Sequence, residues 1–93
     1  MAENLRAHVM IKGKVQGVCF RMETKRAAQN FGVNGWVRNN PDGSVEGVYE
    51  GNAESVNKLL NWSKKGPAIA RVDDLKIDMQ EFKNDFNSFE ITY

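Results

Sequence analysis

Between residues 6 and 14 apolar Val9 and Ile11 are separated by His8, Met10 and Lys12, a two-residue period that predicts a strand. From residue 21 to 31 the period lengthens. Phe20, Thr24, Ala27, Ala28 and Phe31 recur at helical spacing, and Gly32 follows as a left-handed cap. Strands are predicted over 34–39 and 45–50, joined by Asn40-Pro41-Asp42-Gly43, a composition suited to a hairpin connection. Asn52 stands where it can cap a second helix, in which Val56, Leu59, Leu60 and Ser63 form an inward stripe, and Gly66-Pro67 stops that helix. Leu75, Ile77 and Met79 then alternate with Lys76, Asp78 and Gln80 as a fourth strand. A polar stretch over 81–87, interrupted by Phe82 and Phe86, leads to Phe89, Ile91 and Tyr93, which alternate with Glu90 and Thr92 as a fifth. The order β-α-β-β-α-β plus one added strand predicts an α+β sandwich, with two helices covering one face of an antiparallel sheet.

Composition narrows the function classes. The 93 residues suit a single domain, able to bury roughly 60–65% of its unfolded surface without staples. No repeat, low-complexity stretch or linker interrupts them. No apolar run approaches the ~20 residues of a membrane span, and the N-terminal Met1-Ala2-Glu3-Asn4-Leu5-Arg6 lacks the apolar core of a secretion signal, so a cytoplasmic location is expected. Lys and Arg number 13 against 12 for Asp and Glu, a balance that exerts no broad pull on nucleic acid or anionic lipid. One cysteine cannot form an internal disulfide, and one cysteine with one distant histidine cannot assemble a usual zinc site. The acidic residues are scattered, without the clustering a magnesium site needs.

The candidate chemistry lies at the junction of the first strand and first helix, Gly13-Lys14-Val15-Gln16-Gly17-Val18-Cys19-Phe20-Arg21. A glycine-rich loop entering a helix N-terminus presents unpaired amides and the positive end of the macrodipole, and Arg21 adds a planar fork suited to phosphoryl oxygens. Read alone, the same residues also describe a tight turn followed by a solvated arginine. The pattern of a nucleotide-binding phosphate loop is missing, because no Gly-Lys-Ser/Thr follows. A phosphocysteine mechanism needs its cysteine at the head of the loop, five residues before the arginine, as protein tyrosine phosphatases place it. Val15 is at the head, and Cys19 is too close to Arg21 for the loop to encircle a phosphorus bonded to it. Cys19 reads as a small, partly buried side chain, and His8 as a structural or solvated residue on the wet face of the first strand. Without a histidine base, cysteine nucleophile or metal, such a site suits a substrate whose leaving group departs easily rather than a stable phosphate ester.

A second segment, Gly35-Trp36-Val37-Arg38-Asn39-Asn40-Pro41-Asp42-Gly43-Ser44-Val45, follows in strand-turn-strand form. From spacing alone, Asn39 reads as a turn-capping asparagine. Together the two segments resemble the acylphosphatase family, whose motifs run Gly-x-Val-Gln-Gly-Val-x-Phe-Arg and Gly-Trp-Val-x-Asn followed by Asp-Gly-x-Val. Every fixed position is present, and Trp62, Gly66-Pro67, Ala70 and Val72 extend the likeness along the chain. The resemblance implies a ferredoxin-like architecture and hydrolysis of small acyl phosphates to a carboxylate and inorganic phosphate, with no cofactor and no metal. It implies that the amides of Val15, Gln16, Gly17, Val18, Cys19 and Phe20, with Arg21, hold the phosphoryl group. Asn39 then orients the attacking water. The carboxylate leaves unprotonated through a loose transition state, so positioning and charge stabilisation suffice. Inorganic phosphate is expected as product and competitive inhibitor, nucleic acid and membrane are not expected partners, and the chain is expected to be a monomer. Arg38 and Lys14 read as surface charges, Trp36 and Trp62 as packing residues, and Phe20 as the plug that seats the first helix. Two rivals remain at this stage: a non-catalytic ferredoxin-like module such as an RNA-binding domain, whose aromatic sheet motif is absent here, and a piece of a larger carbamoyl-transfer enzyme.

Overall fold

β1 (Asn4–Lys14) fully buries Ala7, Val9 and Ile11 and leaves His8 and Met10 half-buried, so one face of the sheet is dry and the other partly wet. The computed structural model describes residues 3–93; Met1 and Ala2, the head of the segment read above for a secretion signal, lie outside them. After β1 come α1 (Phe20–Phe31), β2 (Asn34–Asn39), β3 (Val45–Asn52), α2 (Ala53–Ser63), β4 (Arg71–Gln80) and β5 (Phe89–Ile91). The sheet order is β4-β1-β3-β2-β5. Both helices lie on the dry face, where Val56 and Leu59 of α2 and Thr24 and Ala28 of α1 are buried with Tyr49, Val37 and Phe89. This is the expected ferredoxin-like α+β sandwich. Among the described residues, no helix is long and apolar enough to cross a membrane.

One feature of the expected sheet needs correction. Four strands pair antiparallel, but β5 joins β2 in parallel, with Gly35 opposite Phe89 and Val37 opposite Ile91, so the sheet is mixed. The cause is the crossover. Residues 81–88 carry the chain from the end of β4, at one edge of the sheet, to the start of β5 at the other edge. β5 therefore starts where β4 stops and runs opposite to it, which is the direction of β2. Glu50 pins this crossover: its carboxylate accepts from the backbone N–H of Lys83 at 2.9 Å and of Asp85 at 3.0 Å, and from Arg6 at 3.1 Å.

Phe20 seats α1 as expected. It is almost fully buried against the Trp62 ring, 5.6 Å between centroids, a burial that contributes about 2–3 kcal/mol. Gly66, left-handed at φ 67°, closes that seat, since a Cβ there would run into the Phe20 ring. Gly66 thus both reverses the chain after α2 and makes room for the residue that positions the loop ahead of α1. Behind Phe89, Tyr49 lies wholly buried, and burial pushes its phenol up, so its neutral O–H pairs with Ser63 Oγ at 2.8 Å. Ser63 in turn donates to the Leu59 carbonyl, which leaves Tyr49 as the donor of that pair.

Candidate active site

The loop between β1 and α1 is anchored by three buried apolar residues, Val15, Val18 and Phe20. Between these anchors the chain turns left-handed twice, at Gly17 (φ 74°) and at Cys19 (φ 61°). The second turn is strained, because a left-handed conformation costs an ordinary side chain about 1–2 kcal/mol. Kinked backbone of this kind is the conformation in which successive amides form an anion-binding concavity. Among the described residues, no backbone carbonyl accepts from the N–H groups of residues 16–19. The first bond of α1 runs from Glu23 N to Cys19 O at 3.0 Å, so helix geometry leaves the amides of Phe20, Arg21 and Met22 without intrahelical partners. Cys19 occupies the N-cap and its side chain caps nothing.

Val15, Gly17, Cys19, Phe20 and Arg21 line one cleft of about 380 Å³ with Asn39, the last residue of β2. The chain has five arginines. Arg6, Arg26, Arg38 and Arg71 each meet a carboxylate at 2.9–3.3 Å, and among the described residues Arg21 meets none. Its guanidinium instead lies over the Tyr93 ring, 5.3 Å from the centroid. Asn39 contributes an unpaired acceptor to complement that donor: its Oδ1 is the one buried side-chain polar atom, among the described residues, without a hydrogen-bond partner. An unsatisfied buried acceptor costs about 1–3 kcal/mol, which marks it as a place where function outweighs stability. A carboxylate-free guanidinium, a row of open amides and the Asn39 side chain, whose Oδ1 has no partner, are thereby brought to one cleft, and the arrangement can hold a phosphate-sized anion.

Two of the predicted loop residues do not line the cleft. Val18 is buried in the core, and the Gln16 side chain turns toward the β2–β3 turn, donating to the carbonyls of Asn40 at 2.7 Å and Ser44 at 2.9 Å. Cys19, expected to be partly buried, is exposed, because the left-handed turn between buried Val18 and Phe20 swings it outward. Met22, Ile91 and Tyr93 complete the cleft wall and were not singled out from sequence. Met22 follows Arg21 in the first helical turn, a position that could have flagged it. Ile91 and Tyr93 reach the cleft only because β5 lies beside β2. Tyr93, expected to continue the strand, lies beyond it and is 97% exposed.

Of the structural and solvated readings of His8, the structural one fits: it is half-buried, its Nε2 lying 2.6 Å from Glu46 Oε2. That bond holds the Glu46 carboxyl below its ordinary range, helped by Arg38 and Asn40 against the opposing effect of burial. Arg38 also stacks over Trp36 at 5.3 Å, and neither residue lines the cleft. A larger depression of about 670 Å³ along the outer flank of α1 reaches Trp62, but its charges, Glu23 and Arg26, neutralise each other. Among the described residues, no three His, Cys, Asp or Glu side chains gather as a metal site.

The acylphosphatase family model matches residues 7–91. An acylphosphatase of Pyrobaculum islandicum is 51% identical over 90 residues, covering 96% of this chain and 95% of its own. One from Pelotomaculum thermopropionicum is 48% identical over 88 residues, covering 95% of this chain and 96% of its own. The crystal structure of the acylphosphatase from Bacillus subtilis matches with a TM-score of 0.92 at 29% identity, over 96% of this chain and 99% of that one. Fold, motifs and relatives converge, and the chain belongs to the acylphosphatase family of hydrolases.

Proposed function

We propose that the activity of this family, hydrolysis of the carboxyl–phosphate bond of small acyl phosphates, is carried here by Arg21, the open amides of residues 15–20 and Asn39. The amides and the Arg21 fork grip the phosphoryl oxygens. Asn39 Oδ1 accepts a hydrogen of one water and aims its oxygen at phosphorus, in line with the carboxylate that leaves. The new P–O bond forms as the bond to the carboxylate oxygen breaks. The proton released by the water goes to a phosphoryl oxygen, so the products are a carboxylate and dihydrogen phosphate. No side chain needs to act as a base, since an amide cannot and the leaving group needs no proton. The observation that carries this reading is the buried, unpartnered Asn39 Oδ1 in the same cleft as the carboxylate-free Arg21. The near-balanced charge supports a small-molecule substrate rather than nucleic acid, and the charges interleaved along the β4 edge support a monomer. The single cysteine, which can form no internal disulfide, supports a cytoplasmic location.

The test is phosphate release from acetyl and benzoyl phosphate, with phosphate monoesters as controls and a chelator throughout. Turnover is expected with the acyl phosphates alone, with competitive inhibition by inorganic phosphate. Asn39→Ala should lower turnover by about 10²-fold while the phosphate Ki holds. Comparable turnover of monoesters, dependence on an added metal, or a folded Asn39→Ala variant as fast as the parent would refute the mechanism.

A further inference from the structure

The Gln16 side chain belongs to the phosphate-loop segment, yet both hydrogens of its amide are used on the β2–β3 turn. Nε2 donates to Asn40 O at 2.7 Å and to Ser44 O at 2.9 Å, leaving neither hydrogen for a phosphoryl oxygen. The turn that receives them is already closed on itself. Asn40 N donates to Ser44 O at 2.9 Å, Gly43 N to Asn40 O at 3.1 Å, and the Ser44 N–H and Oγ both donate to Asp42 Oδ1, at 2.9 and 2.6 Å. Such a turn moves as one body, and Asn39 is the residue immediately before it. Among the described residues, no other hydrogen bond joins residues 15–21 to residues 39–45. Beyond the strand pairing that leads up to them, the phosphate cradle and the water-orienting amide are therefore tied together directly by one half-buried glutamine.

Resting on the reading of Asn39 given above, we propose that Gln16 is a positioning residue, whose side chain sets the separation between the phosphate cradle and Asn39. In-line attack is sensitive to such a separation, because a misplacement of about 1 Å can cost 10²-fold in rate. The bonding pattern separates this role from simple stabilisation. Each of the two carbonyls keeps a backbone donor when Gln16 is removed, so the turn stays closed while its tie to the loop is lost. The loop amide at position 16 is unaffected by a change of side chain, so the cradle keeps its donors.

The experiment compares Gln16→Met, close in size but without donors, with the parent and with Asn39→Ala, each checked for an intact fold by circular dichroism. With benzoyl phosphate, Gln16→Met should lower kcat by about 10–100-fold, while the Ki for inorganic phosphate changes by no more than about threefold. The double variant Gln16→Met with Asn39→Ala should be no slower than Asn39→Ala alone, because nothing is left to position. If the methionine variant does not fold, Gln16→Glu serves, since its carboxylate opposes the same two carbonyls. Unchanged kcat with a lowered Tm would assign Gln16 a purely structural role and overturn the proposal. So would a phosphate Ki that rises in step with the loss of kcat, or a double variant in which the two losses multiply. Parent-like turnover in Asn39→Ala alone would remove the water-orienting reading itself, a failure visible in the single variant whatever Gln16→Met does.

Discussion

The two helices begin at opposite ends of the sheet, and their first turns are finished in opposite ways. At the end remote from the cleft, Asn52 caps α2 from an extended conformation, φ −66° and ψ 155°, and its side chain accepts from Ser55 N at 2.8 Å. Ala53 N finds the carbonyl of Glu3 at 2.7 Å. At the cleft end, α1 starts from a left-handed Cys19 that caps nothing. The side-chain acceptors divide in the same way: the Glu50 carboxylate takes three donors at the remote end, whereas Asn39 Oδ1 takes none at the cleft. Polar groups are satisfied where only stability is at stake, and are left open where the proposed mechanism binds an anion and a water. Burial of Phe20 between Trp62 and Gly66 offsets the strain and holds the unfinished end in place.

The largest break in this contrast comes from Arg21. In the proposed mechanism its bidentate, charge-assisted grip acts in both ground and transition state, so Arg21→Ala should lose on the order of 10³-fold in both phosphate affinity and kcat/KM; Lys would not restore the fork. The same loss is visible without turnover. Phosphate at 100 times its Kd should raise the stability of the parent by about 2.7 kcal/mol through mass action, and should leave the Tm of Arg21→Ala nearly unmoved. A normal phosphate-induced rise in Tm for Arg21→Ala would place the anion elsewhere.

The remote end should show itself in acid. Burial alone would raise the Glu50 carboxyl, but the Lys83 N–H, the Arg6 guanidinium and the Asp85 N–H outweigh it and hold the group below its ordinary value. A carboxyl depressed in the folded state contributes stability that is fully present above its unfolded pKa, about 4.3, and is lost as pH falls through the lower folded value. Thermal melts should therefore be nearly level from pH 7 to about 5 and fall below that. Glu50→Gln should lose about 2 kcal/mol at neutral pH and flatten the acid limb in part, since Glu46 is also held down and adds to the same window. Its kcat at neutral pH should match the parent. An acid limb unchanged in Glu50→Gln would show that the crossover is not held by this carboxylate.

The sheet and both helices were legible because each element carries its period and its punctuation: alternation in β1, Asn52 and Gly32 at helix ends, Asn-Pro-Asp-Gly between β2 and β3. The motif residues that meet in the cleft were legible through the family resemblance, and Arg21 also through its place at a helix entrance. What escaped depends on geometry that no local pattern encodes. The direction of β5, and with it the arrival of Ile91 and Tyr93 at the cleft, follows from a crossover whose path is set by Glu50, 30-odd residues earlier in the chain. A left-handed Cys19 has no signature, because only glycine advertises that conformation. Gln16 reads as part of the loop, since its backbone belongs there, while its side chain acts on residues 24 and 28 positions away.

The finest test sets one cap against the other. Asn52→Ala removes a satisfied cap, so stability should fall by about 1 kcal/mol while the phosphate Ki and kcat match the parent. Cys19→Gly acts in the opposite sense. Glycine adopts φ 61° without the side-chain penalty, so stability should hold or rise by up to about 1 kcal/mol, the relieved strain being partly cancelled by the larger entropy of the unfolded chain. The same freedom lets the empty loop leave its anion-binding shape, and binding must then supply the ordering that the left-handed cysteine supplies in advance, so phosphate affinity should fall a few-fold. Urea denaturation with phosphate titration reads both quantities on one preparation. Parallel losses of stability and affinity in the two variants would mean that both helix starts are built for stability, and the contrast between the two ends would not stand.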